Sequence, residues 1–373
     1  MSINLFFAQL FLGILGLIGV ATAAPDMAVK HAIQTVLGLI VAVAVSRIPV
    51  KTVIRTAPAV WLSTLFLLVL VLIIGKGGNG SDVKRWIDLG PISFQPSEFA
   101  KLSLILMLAS FFARKGVDRK LLSAIGFIGL TTLLVVLEPD LGTTVLIFSS
   151  GLLMMFVAGV RVTSIGAFLI LVGSFTVPAA GVYVETHPYI KARYMGFMNG
   201  KNGAENHDLT DGFQVAQAHR WLRAGGAYGQ GPEAPKYHLP AAHTDMIIAP
   251  IGLSLGFLGV AMVLLAYWVV VRVAITTSEL AGTARHFTPG LHAAGIMSVG
   301  AMYMIVGQAG INLAVVGGIF PVTGVPLPFV SFGGSGQLAT GIAFGLIHLA
   351  TGEVMRDRRR ALADASAARA ALT

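Results

Sequence analysis

The chain has 373 residues, of which 55% are hydrophobic and only 12% charged, whereas soluble domains run at about 45–50% apolar and about 25% charged. So much apolar surface excludes a water-soluble enzyme, a disordered chain and a collagen-like fibre, and the absence of Cys excludes disulfides, zinc-thiolate sites, iron–sulfur clusters and cysteine nucleophiles. The 26 Lys and Arg against 17 Asp and Glu leave a net charge of +9, which in a chain this apolar is read as cations at membrane faces and not as a surface for nucleic acid.

A helix needs about 20 apolar residues to cross about 30 Å of hydrocarbon, and ten runs approach that length. In chain order they are Leu5 to Ala24, Met27 to Ser46, Ala57 to Ile74, Phe99 to Phe112, Leu121 to Leu137, Leu141 to Ala158, Val162 to Ala180, Ile247 to Val271, Leu291 to Gln308 and Ser331 to Leu349. The expectation is an all-α polytopic membrane protein with about ten transmembrane helices. The first run ends in Ala-Thr-Ala-Ala but has no basic region before it, so it is read as an uncleaved helix. Most of the Lys and Arg, from Arg47 and Lys51 to the Arg358-Arg359-Arg360 run, fall on one side if the N-terminus is cytoplasmic, which places both termini inside. Residues 1–360 then form a single transmembrane domain, and the Ala-rich tail 361–373 a frayed cytoplasmic helix. Segments 75–97, 138–140, 181–246 and 309–330 all face outward. The long segment 181–246, between the seventh and eighth spans, exceeds what an idle connection needs.

Acidic residues are the most informative class, because an Asp at a helix centre costs about 2.5–3.5 kcal/mol on insertion scales. Glu98 and Lys101, three apart at the start of the fourth span, share a helix face; they are either a local ion pair or part of a site. Glu138 and Asp140 flank Pro139 between the fifth and sixth spans, and Asp140 is either an N-cap of the next helix or a site residue. Asp245 closes the sequence Leu239-Pro240-Ala241-Ala242-His243-Thr244-Asp245, where the polar segment meets a strongly apolar run. A carboxylate at that boundary, beside His243, has the raised basicity and the access to a polar substrate that a general base needs. Its plain alternative is an N-cap of the eighth span. Gln308 and Asn312 precede a stretch, Gly317 to Ser335, so rich in Gly and Pro that no regular helix can form. Irregular backbone at membrane depth must be buried in protein or line a polar cavity, so a re-entrant or broken segment is expected. Its amides either hold phosphate oxygens or simply pack between helices.

These motifs, in this order, resemble the SEDS proteins (shape, elongation, division and sporulation), among them RodA and FtsW. The resemblance is carried by Arg85-Trp86-Ile87-Asp88-Leu89-Gly90 with Phe94-Gln95-Pro96-Ser97-Glu98-Phe99-Ala100-Lys101, by Glu138-Pro139-Asp140-Leu141-Gly142-Thr143, by Arg193, by Gln214 with Gln217, by the Leu-Pro-x-x-His-Thr-Asp ending at Asp245, and by Pro321 to Ser335. It covers nearly the whole chain.

The resemblance implies a ten-helix peptidoglycan glycosyltransferase that polymerises lipid II at the outer face of the bacterial cytoplasmic membrane, for division or elongation. It also implies a class B penicillin-binding transpeptidase as partner. The family's essential acid carries over to Asp245, the expected base for the acceptor sugar's 4-hydroxyl. Lys101 and Arg193 are the candidate cations for the departing undecaprenyl diphosphate, with Glu98, Glu138, Asp140, His243, Gln308, Asn312, Ser331 and Ser335 around them. A divalent cation such as Mg2+ could assist at the diphosphate, although no ligand cluster specifies one. The chain departs from the family pattern at Ala241, at Leu253-Ser254 and at Gly336, where the family has acids at the first two and a serine at the third. Rival readings are a transporter of the lipid-linked precursor, which intramembrane acids and broken helices also suit, and a non-catalytic scaffold for the transpeptidase.

Overall fold

The computed structural model describes residues 2–77, 84–88, 90, 93–115, 121–186, 191, 195, 211–234, 238–284 and 288–370. Arg193 lies outside them. Eleven α-helices are described: α1 Ile3–Ala23, α2 Ala28–Ser46, α3 Val50–Ile74, α4 Pro96–Lys115, α5 Leu121–Val136, α6 Leu141–Val157, α7 Val162–Thr186, α8 Asp211–Gly225, α9 Ile248–Gly282, α10 Pro289–Val316 and α11 Gly334–Ala370. A small antiparallel hairpin, β1 Ile87–Asp88 with β2 Ser93–Phe94, stands between α3 and α4. Seven helices are long and apolar enough to cross a membrane, and α5, α6 and the Val162–Ser174 part of α7 are shorter apolar helices. All ten expected spans are therefore helical, and the protein is an all-α multi-pass membrane protein. Large apolar side chains such as Phe66, Ile170 and Phe257 lie exposed on the outside of the bundle, as a hydrocarbon solvent permits.

Several boundaries differ from expectation, among them the start of α3 at Val50 instead of Ala57 and the end of α11 at Ala370 instead of Leu349. The eighth span continues to Gly282, the ninth to Val316, and the last begins at Gly334 instead of Ser331. The ninth matters most: Gln308 and Asn312 sit on its helix, and the irregular segment begins at Gly317, where the Gly- and Pro-rich stretch was expected to start. Residues 317–333 then run without regular helix, with Val322, Val325, Leu327, Phe329 and Val330 all buried. This plug is the broken segment that its Gly and Pro content required. Gly16 of α1 admits it: a β-carbon there would stand 2.5 Å from the Val330 carbonyl oxygen.

Helix α10 packs on α9, α11, α4 and α6, while α2 packs on α11 and α1, and α3 on α4. Although a short turn joins α2 to α3, the two have almost no mutual contact and diverge along the bundle. Helix α9 is broken near its start, where Gly256 takes φ 67° and ψ −163°. The segment 226–231 fits into the break. Gln230 and Gly231 donate to the carbonyls of Leu253 (2.9 Å) and Ser254 (3.1 Å), and Phe257 and Leu258 donate to those of Gly226 (2.8 Å) and Ala227 (3.2 Å). Backbone groups freed by the kink thus find partners inside the protein, as apolar surroundings demand.

Candidate functional site

The site lies at the predicted outer end of the bundle, where α4, α10, α11, the plug and the turn 240–247 meet. Pro96 opens α4 and puts Glu98 in its first turn, so Lys101, one turn on, lies beside it. Lys101 Nζ donates to Glu98 Oε1 at 2.8 Å and to Gln308 Oε1 at 2.5 Å, with both members of the ion pair almost fully buried. Gln308 Nε2 in turn donates to the Pro326 carbonyl at 2.9 Å. One turn along α10, Asn312 Nδ2 reaches two carbonyls, those of Asp245 (2.7 Å) and Val325 (2.8 Å). Ser331 Oγ donates to the Thr244 carbonyl (2.6 Å) and accepts from the Leu327 amide (2.8 Å), and the Phe332 amide donates to the His243 carbonyl (2.9 Å). Polar side chains of transmembrane helices thus substitute for the missing helical hydrogen bonds of the plug and tie it to the His243–Asp245 turn.

Asp245 is half-buried and lines a cavity of about 120 Å³ together with Glu98, Gln308, Trp86, Phe332 and Gln337. The N-cap position of α9 is taken by Ile247, whose side chain makes no cap bond; Asp245 stands two residues before it. The outer oxygen of Glu98, Oε2, is buried without a hydrogen-bond partner. Gly336 also lines the cavity, and a β-carbon there would meet nothing within 4 Å. The family's serine at this position would fit, and its absence leaves that part of the wall open.

The remaining expected residues surround the cavity without lining it. Asp140 caps α6 by accepting from the Thr143 amide (3.1 Å), as one of its two readings had it, and also receives Gln95 Nε2 at 3.5 Å. Gln95 does line the cavity. Ser335 Oγ donates to the Ser93 carbonyl (2.8 Å) and holds the hairpin against α11. Glu138 is completely buried, and neither of its carboxylate oxygens has a hydrogen-bond partner. Arg85 instead donates to the backbone carbonyls of Glu138 (3.0 Å) and Pro139. Of the other departures, Ala241 sits in the turn with φ 53°, Leu253 is buried, and Ser254 Oγ meets Thr22 Oγ1 at 2.6 Å. Trp86 and Phe332 fall inside the quoted motifs but were not named as site residues, and Gln337 was not singled out at all. Gln337, a buried amide in an apolar helix that donates to the Ser331 carbonyl (3.1 Å), carried a usable signal, since such residues face the bundle interior.

Burial lowers the pKa of His243, with the Asp26 charge acting weakly the other way, so the ring is neutral at pH 7. Burial first, and then the neighbouring Asp140 carboxylate, push Glu138 up to about 9 against the lowering influence of Arg85. Glu138 is therefore protonated at neutral pH. A raised carboxyl pKa contributes stability that is complete below its ordinary value of 4.5 and lost as pH rises through about 9. We expect the melting temperature of the detergent-solubilised protein to fall as pH is raised towards about 9, and Glu138→Gln to flatten that fall. Parallel curves for the two proteins would refute the assignment.

Among the described residues no group of three or more His, Asp or Glu gathers to hold a metal ion. No step is assigned to a divalent cation.

Residues 6–354 match the family model of cell cycle proteins that comprises FtsW, RodA and SpoVE. The peptidoglycan glycosyltransferase MrdB of Escherichia coli K12 is 33% identical over 322 residues, spanning 84% of this chain and 82% of that protein. The stage V sporulation protein E of Bacillus subtilis is 33% identical over 294 residues, 76% of this chain and 75% of that one. Among solved structures, a chain of a peptidoglycan synthase complex that coordinates polymerization and crosslinking superposes with a TM-score of 0.76. It is 25% identical, and the match covers 95% of this chain and 98% of that chain.

Proposed function

The chain belongs to the family of cell cycle proteins that comprises FtsW, RodA and SpoVE, and on that premise we propose that it polymerises lipid II with Asp245 as the general base. It is a peptidoglycan glycosyltransferase serving elongation or division. One observation supports the assignment of the base above the others: Asp245 opens onto the cavity at the predicted outer end of the bundle, while its own backbone is fixed by Asn312.

In this reading Asp245 takes the proton of the acceptor sugar's 4-hydroxyl as that oxygen bonds to the anomeric carbon of the lipid-linked donor. The bond from that carbon to the diphosphate breaks, and undecaprenyl diphosphate leaves with the electron pair. A carboxylate in a half-buried setting is a better base than one in water, and base catalysis of this kind contributes about 10²–10⁴-fold. Lys101 does not line the cavity; it acts through Glu98 and Gln308, the two groups it holds, which do. A cavity of about 120 Å³ is smaller than the roughly 300–1,000 Å³ of ordinary ligand pockets, so it takes the reacting atoms and leaves the rest of the substrate outside.

The protein works in the bacterial cytoplasmic membrane beside a class B penicillin-binding transpeptidase, a pairing supported by its likeness to a chain of a synthase complex. Reconstituted with lipid II, it is expected to produce glycan strands resolvable by gel or mass spectrometry. Transfer of lipid II across the vesicle membrane without polymer would replace this reading with the transporter, and transpeptidase binding without polymer would replace it with the scaffold.

A further inference from the structure

The cations near the cavity are mostly committed. Lys101 is locked between Glu98 and Gln308, Arg85 is engaged with the carbonyls of Glu138 and Pro139, and Lys76 pairs with Asp88 at 3.3 Å. Lys30 is different. It stands exposed in the first turn of α2, with its Nζ 5.8 Å from the centroid of the Phe332 ring and no ion pair or hydrogen bond among the described residues. Asp26, one turn earlier, is placed to pair with it and does not come within 4 Å.

Its position is unfavourable twice over. A cation in the first turn of a helix opposes the macrodipole, and a Lys at the predicted outer face goes against the charge bias that orients membrane proteins. Two histidines share the same ring: His31, at 6.3 Å between centroids, and His243, at 5.8 Å. His31 is completely buried, yet both of its ring nitrogens lack a hydrogen-bond partner. Phe332 itself lines the cavity that holds Asp245. An uncompensated cation and an orphaned imidazole thus converge on one aromatic wall, with the proposed base beyond it.

We propose that Lys30, standing over Phe332 beside His31 and His243, forms an anion subsite that holds the diphosphate of the polyprenyl-linked substrate. The identity of the anion rests on the function proposed above; the subsite itself rests on the geometry. An anionic phospholipid headgroup offers the same phosphate chemistry, so the test must separate the two.

The experiment measures binding of undecaprenyl diphosphate to the full-length protein in nanodiscs of phosphatidylcholine alone, and in parallel the polymerisation of lipid II. Lys30→Met should weaken diphosphate binding about tenfold, and Lys30→Arg should keep it within about threefold of wild type. The loss should be the same in discs containing phosphatidylglycerol. Because Lys30 is exposed at a helix start, unchanged melting of both variants serves as the control for folding. Equal binding by wild type and Lys30→Met, or no binding by either, overturns the subsite. A difference seen only with phosphatidylglycerol overturns the substrate assignment in favour of the bilayer headgroup. Lys30-dependent binding by a wild-type protein that makes no polymer sustains the subsite and sinks the polymerase reading instead.

Discussion

Asp245→Asn should reduce glycan-strand synthesis from lipid II by at least about 10²-fold, the lower end of what a positioned general base contributes, without unfolding the protein. Asparagine has nearly the same shape and cannot take the proton. The hydrogen bond from Asn312 goes to the Asp245 backbone carbonyl, so the turn keeps its anchor when the side chain changes. Thr244 and Ser331 hold the same turn to the plug through another main-chain carbonyl. The variant should therefore melt as wild type does and still bind its transpeptidase while failing to polymerise. Undiminished strand synthesis would show that another group is the base. Loss of folding together with activity would show that the carboxylate is a structural element of the turn.

Lys101→Met should be among the most destabilising single changes in the protein, at about 3–5 kcal/mol, because it leaves Glu98 as an uncompensated buried charge. Side-chain exposure of only 3% for Lys101 and 5% for Glu98 removes the water that would otherwise solvate the survivor. The same reasoning makes the double variant Glu98→Gln with Lys101→Met more stable than the single one, since no charge is then stranded. Its plug nonetheless loses the contact through Gln308, so it should fold and remain inactive. Thermal unfolding of the three proteins in one detergent, with a polymerisation assay on each, decides this. If Lys101→Met melts with wild type, or the double variant gains nothing over it, the pair is not the internal strut described here.

The sequence named Asp245, Glu98 and Ser331 within family motifs and Gln308 as a polar residue ahead of the Gly- and Pro-rich stretch, and the structure brings these four to one cavity. It separates from them the residues that serve at one remove. Asp140 resolved into a helix cap that also receives Gln95, and Ser335 into a clasp on the hairpin. Neither distinction was open to sequence reasoning, because a cap and a ligand use the same residue types. Lys30 passed unnoticed in the sequence as one more outer-loop cation. Its lack of a partner is visible only once Asp26, Phe332, His31 and His243 are placed around it.

By itself the sequence determined the membrane class, the ten apolar helices and the break after α10. Each of these follows from a local rule: the length of apolar chain that hydrocarbon demands, and the inability of a Gly- and Pro-rich run to keep a helix. Only the tertiary structure decided how α9 survives its kink at Gly256 and that Asp245 lines a cavity. Those outcomes depend on backbone groups finding partners far away in the chain, such as Asn312 for the Asp245 carbonyl and Gly226 for the Phe257 amide. In apolar surroundings an unmet amide or carbonyl costs several kcal/mol, so the fold is set by which distant groups can satisfy it, a condition no local pattern encodes.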